Sequence, residues 1–169
     1  MEQENTTVGE LGEDALVARL TKSLSSDPRV VVGPGDDCAV TDSGGKDWEL
    51  LKTDCLIEGV HFLPGTDPKK VGQKALKRVL SDIAAMGGAP GEAVVTLAVD
   101  ADRAVEEVTG WYEGIEEVAM EFGCAIVGGE TARLPGASAL LSVAMTGRVR
   151  PEHCVRRSGA RVGDLILVT

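Results

Sequence analysis

The chain has 169 residues, 43% hydrophobic and 26% charged, a balance that suits one globular domain with its own core and excludes a disordered segment. Aromatics make up only 3%, so the core must be built from Val, Leu, Ile and Ala. A net charge of −10 with no basic cluster argues against nucleic-acid binding, because phosphate contacts need Lys and Arg in numbers. Cys38, Cys55, Cys124 and Cys154 form no C-x-x-C pair and read as reduced thiols packed as small hydrophobes. The acidic, polar start is unlike a signal peptide, and no apolar run reaches the ~20 residues of a membrane span. The expectation is a soluble, cytoplasmic protein without membrane contact.

In chain order, Leu11, Ala15, Leu16, Leu20 and Leu24 recur at helical spacing and predict one amphipathic helix over about 8–24, stopped by Ser25-Ser26-Asp27-Pro28. Val30-Val31-Val32 predicts a short strand, broken by Gly33-Pro34-Gly35. Strands over 38–41 and 49–53 flank a turn-rich Thr41-Asp42-Ser43-Gly44-Gly45. Asp67-Pro68 predicts a helix start, with Asp as N-cap and Pro in the first turn. Ala75, Leu76, Val79, Leu80 and Ile83 supply its buried stripe, and Gly87-Gly88 its end. A strand over 92–99 follows, then a second long helix over 102–122 closed by Gly123. The glutamates Glu106, Glu107, Glu113, Glu116 and Glu117 give that helix a solvated face. Ala125-Ile126-Val127 predicts a strand leading into a Gly128-Gly129-Glu130-Thr131 loop; 140–149 is another strand, and 165–168 begins one more.

This order predicts one α/β (α+β) sandwich over 1–169, with a mixed, mainly antiparallel sheet and its helices on one face. The N-terminal helix precedes a main body at about 28–169. A hydrophobic strand that stops in mid-course at Thr169 predicts a chain cut from a longer one. Two long helices cover only one sheet face, so the other predicts a homodimer.

Three acidic runs carry the functional signal: Gly35-Asp36-Asp37-Cys38-Ala39, Lys52-Thr53-Asp54 and Leu80-Ser81-Asp82-Ile83-Ala84-Ala85-Met86-Gly87. Each sets a carboxylate where an apolar segment meets glycine or a small polar residue. Carboxylates at the edge of a core repel one another unless a cation sits between them. Hard cations bound through oxygen, Mg²⁺ above all, serve that purpose and are often shared with phosphates. Asp82 lies near the C-terminal end of its helix, where the macrodipole disfavours a carboxylate, which again points to a nearby cation.

These runs, with Glu58-Gly59-Val60-His61-Phe62, Lys74-Ala75-Leu76, Val127-Gly128-Gly129-Glu130-Thr131, Arg157-Ser158-Gly159-Ala160 and Gly163-Asp164, resemble the N-terminal domain of the thiamine-monophosphate kinase family. That family lies in the superfamily of aminoimidazole ribonucleotide synthetase. The resemblance runs from about residue 9 to 169 and implies that a second α/β domain is absent. It implies ATP and Mg²⁺ as cofactors, thiamine monophosphate as substrate, and a homodimer whose sheets join into a closed barrel. Asp37, Thr53, Asp54, Asp82 and Glu130 would be metal ligands, with Asp36 supporting its loop. Gly128, Gly129 and Arg157 would hold ATP phosphates, and His61 would contact substrate. No residue acts as nucleophile or base. Two positions depart from the family: Lys52 stands where Ser or Thr is usual and cannot ligate a metal, and Glu130 stands where Asp is usual. Competing readings are another ATP-dependent member of the superfamily, or a dimerisation or ligand-binding module without catalysis.

Overall fold

A computed structural model describes residues 6–25, 27–136 and 138–167. The elements run α1 (Val8–Leu11), α2 (Glu13–Thr21), β1 (Val30–Val32), β2 (Ala39–Thr41), β3 (Trp48–Ile57), α3 (Pro68–Ala85), β4 (Ala89–Val99), α4 (Val105–Phe122), β5 (Ala125–Arg133) and β6 (Leu140–Val149). The strands form one six-stranded sheet in the order β1-β2-β3-β6-β4-β5, with only β4 and β5 parallel. The mixed, mainly antiparallel sheet expected from the sequence is therefore present.

Period-two burial organises the sheet. Leu50 and Leu56 of β3, Val95 and Leu97 of β4, and Leu141, Val143 and Met145 of β6 all point to one face and are buried. There they meet the apolar stripe of α3, Val71, Ala75, Leu76, Val79, Leu80 and Ile83, and Trp111, Ile115 and Val118 of α4. The two helices approach closely because two glycines let them. A Cβ on Gly72 would fall 1.8 Å from the Trp111 carbonyl oxygen, and one on Gly114 2.0 Å from that of Lys69. Among the described residues no helix packs on the opposite sheet face, and Leu51, Val94 and Val127 stand exposed there or at its edge.

The start of α3 and the end of α4 follow the sequence closely, whereas α4 begins at Val105, after a turn at 101–103, and not at 102. Asp67 caps α3 by accepting the Lys69 amide, and Gly123 ends α4 in the left-handed region at φ 66°.

Four expectations need correction. The single helix over 8–24 is two short ones, because Gly12 takes φ 78° after a Thr7–Glu10 capping box. Neither buries a residue, so its apolar spacing serves no core in this chain. The strand expected at 49–53 runs on to Ile57, which moves Thr53-Asp54 from a strand end to a strand interior. Gly128-Gly129-Glu130 is part of edge strand β5 rather than a loop, because the parallel ladder with β4 continues through it. Leu165, Ile166 and Leu167 form no strand and are almost fully exposed; positions 168–169 of that expected strand lie outside the described residues.

Candidate nucleotide and metal site

The helix-facing side of β3 alternates Leu50, Lys52, Asp54 and Leu56, so two charged side chains are carried into the layer between sheet and helix. On α3 the polar residues Lys74, Arg78 and Asp82 recur every four positions beside the buried stripe, one above another on the edge over β3. The two rows meet in register. Lys74 donates to the His61 carbonyl. Arg78 grips both Asp54 oxygens, Nε to Oδ2 at 2.9 Å and Nη2 to Oδ1 at 3.0 Å. Lys52 Nζ lies 2.6 Å from Asp82 Oδ2, with each side chain about three-quarters buried.

Burial alone would push the Asp54 carboxyl up. The Arg78 hydrogen bonds, the Cys55 amide at 2.7 Å and the Arg78 and Lys52 charges outweigh it and hold its pKa below the ordinary value. Arg78 is raised in turn, first by its hydrogen bond to Asp54.

Two adjacent carboxylates complete the cluster. Asp36 and Asp37 lie in the turn before β2, where the Asp37 amide donates to Asp36 Oδ1 at 3.0 Å. The chain after β6 brings a cation to them. Val155 donates its amide to the Met86 carbonyl at 3.1 Å, and the Arg156 guanidinium stacks 5.9 Å from the Trp48 ring centroid. These contacts deliver Arg157, whose Nη2 reaches Asp37 Oδ1 at 2.5 Å and whose amide donates to Asp36 Oδ2 at 3.3 Å. Arg157 is raised by the hydrogen bond to Asp37 first, then by the charges of Asp37, Asp36 and Asp82, so it feels two of the three acidic runs at once. Between them Cys38 is buried, and its thiol is pushed up to about 11 by burial first and then by Asp82.

Other expected site residues stand elsewhere. Thr53 points to the open sheet face, its hydroxyl 3.4 Å from that of Ser142, because neighbours on a strand face opposite ways. Glu130 is exposed on β5 beside Thr96, whose other neighbour Ser142 pairs with Cys55. Three strand spacings, about 14 Å, thus separate Glu130 from the Asp54 level, too far for one ion to bridge. A Cβ on Gly129 would fall 1.9 Å from the Val95 carbonyl oxygen, so this glycine is needed for strand approach whatever else it does.

His61 closes the turn after β3. Its Nδ1 accepts the Ile57 amide at 3.0 Å, which places the ring proton on Nε2 and leaves that atom a donor. The turn is held by Glu58, buried and ion-paired to Arg103, which also lies 5.6 Å over Trp111.

Among the described residues, no three His, Cys, Asp or Glu side chains gather closely enough to hold a metal by themselves. Mg²⁺, however, commonly takes one or two carboxylates and draws its remaining oxygens from phosphate and water. The all-oxygen donors Asp36, Asp37, Asp54 and Asp82 fit that chemistry, provided the bases now on them give way.

Arg78 is a site residue that the acidic motifs alone do not reveal. Its signal was the four-residue spacing with Lys74 and Asp82 on the polar edge of an otherwise apolar helix.

Residues 35–149 match the family model of the AIR synthase related protein, N-terminal domain. The chain belongs to this family. Among curated relatives, the thiamine-monophosphate kinase of Synechococcus elongatus is 34% identical over 164 residues, 96% of this chain and 48% of the relative. That of Aquifex aeolicus is 37% identical over 160 residues, 95% and 49% respectively. A solved structure of AaThiL complexed with AMPPCP and TMP superposes with a TM-score of 0.85 at 34% identity, over 96% of this chain and 49% of that one. The chain spans about half the length of the curated relatives it matches. In this chain the acid–base cluster sits on β3, α3 and the turn before β2, all within the matched residues. No helix among the described residues is long and apolar enough to cross a membrane.

Proposed function

We propose that the chain is the ATP- and Mg²⁺-binding half of a thiamine-monophosphate kinase. The reaction is transfer of the γ-phosphoryl of ATP to the phosphate of thiamine monophosphate: a substrate phosphate oxygen bonds to the γ-phosphorus, the bond to the β-phosphate oxygen breaks, and ADP leaves. The likeness over 96% of the chain to AaThiL complexed with AMPPCP and TMP is the observation that carries this reading.

The geometry supports it through charge. Phosphoryl transfer needs positioning and neutralisation rather than a protein nucleophile. Asp37, Asp54 and Asp82 offer oxygens to Mg²⁺, which would supply charge neutralisation when bound; Thr53 on β3 and Glu130 on β5 both face the open side of the sheet but lie three strands apart, so each would meet a metal only at its own place on that face. Arg157 has the planar fork suited to phosphate and is exposed enough to swing from Asp37 to a nucleotide. The Gly128 and Gly129 backbone lies on the free edge of the sheet, where unpaired amides can meet phosphate. His61 Nε2–H is placed to donate to substrate. The bare sheet face supports a homodimer, and four free cysteines suit a reducing, cytoplasmic setting.

Isothermal titration calorimetry of the chain with Mg²⁺ and AMPPCP tests the reading. Saturable binding is expected, with Asp82→Asn abolishing it while circular dichroism stays unchanged. A wild-type chain that binds no nucleotide overturns the proposal.

A further inference from the structure

The Lys52–Asp82 pair sits in the middle of the oxygen donors on which the proposed function rests. Lys52 is carried inward by the alternation of β3, between buried Leu50 and the Asp54 carboxylate, and its side chain is about three-quarters buried. Its Nζ, 2.6 Å from Asp82 Oδ2, spans the gap from β3 to α3 that an ion shared between the two elements would have to bridge. The Lys52 charge also reaches Asp54 and Cys38. An ammonium and a dication compete for one carboxylate oxygen and repel each other when adjacent, and in a half-buried site that repulsion is weakly screened. A lysine at this position can donate but cannot ligate.

We infer that Lys52 is a built-in counter-cation at Asp82, standing in for one divalent ion, so that this chain meets nucleotide phosphate with fewer metal ions than a hydroxyl at position 52 would allow. The inference rests on the proposed nucleotide site but concerns the metal count, not the reaction. Lys52 then acts on both sides: it keeps Asp82 neutralised in the metal-free chain, and it offers phosphate a fixed positive charge that chelators cannot remove.

Counting bound Mn²⁺ by electron paramagnetic resonance, alone and with AMPPCP, tests this in the 169-residue chain. Wild type is compared with Lys52→Ser, which supplies a hydroxyl ligand, and with Lys52→Met, which keeps the length and drops the charge. Lys52→Ser should bind Mn²⁺ at least tenfold more tightly than wild type even without nucleotide, Lys52→Met by a smaller factor, and Asp82→Asn should cancel both gains. With AMPPCP, wild-type affinity should fall less on adding a chelator than that of Lys52→Ser. Unchanged Mn²⁺ affinity in both Lys52 variants overturns the inference, as does a gain that survives Asp82→Asn. If AMPPCP binds none of the proteins, the proposed function fails, while the Mn²⁺ titration without nucleotide still decides the role of Lys52. Lys52→Met remains informative should the serine variant not fold.

Discussion

Arg78 on α3 closes a two-point hydrogen bond on Asp54 of β3, tying the helix layer to the sheet at the level of the candidate site. Asp54 is the more buried partner, its side chain 21% exposed against 37% for Arg78. Removing the arginine therefore strands a carboxylate that has already lost most of its water. Arg78→Leu should cost about 1.5–3 kcal/mol in urea unfolding, the range for hydrogen bonds to charged groups. Adding Asp54→Asn should recover part of the loss, since the orphaned charge disappears. A double-variant loss equal to the sum of the two single-variant losses would show that the pair does not couple.

The same pair sets a pH dependence. The Asp54 carboxyl titrates in the folded chain below its ordinary value of 3.8. The stabilisation it contributes is fully present above that unfolded value and is lost as pH falls from near 4 through the lower folded value. Unfolding midpoints measured from about pH 6 to pH 2.5 should fall more steeply for wild type than for Asp54→Asn. Parallel curves would remove Asp54 from the acid response.

Gly72 and Gly114 lie where α3 and α4 cross, each with no room for a methyl group against the other helix's backbone. A backbone oxygen cannot rotate away as a side chain can, so either Gly→Ala change must push the helices apart. Each should cost about 3 kcal/mol, the upper part of the usual range for overpacking. Gly9→Ala, with nothing near its Cβ, should change stability little. Thermal melts of the three variants make the comparison, and a Gly72→Ala protein as stable as wild type would refute the tight crossing.

The uncovered sheet face leads to the fourth prediction. Leu51 and Val94 are 57% and 41% exposed on it, in register with the small residues Thr146 and Ala144 of β6. Burying such a face against a second copy removes apolar area from water. Sedimentation at micromolar concentration should give twice 17.6 kDa, and Leu51→Arg should shift it to the monomer. A wild-type monomer of 17.6 kDa would overturn the dimer.

Much of the scaffold was legible in the sequence because its signals are local. The Asp67 cap, the stripe from Ala75 to Ile83 and the turn at Gly123 act within a few residues, and the structure keeps all three. The three acidic runs could be found by eye for the same reason. What the sequence could not decide depends on neighbours far along the chain. β3 reaches Ile57 because β6 pairs with it over its full length, and Gly128-Gly129 becomes strand because β4 lies beside it. The apolar spacing in 8–24 has the right period, yet burial requires a surface to meet, and the chain offers those helices none. The electrostatics of the site belong to tertiary structure altogether. Asp54 meets Arg78 across 24 residues and Asp37 meets Arg157 across 120, and nothing in an acidic run specifies which base will be folded onto it. Charge acts through space at a few ångströms, so only the packing of α3 on β3, and of the segment after β6 on both, determines which carboxylate each cation reaches.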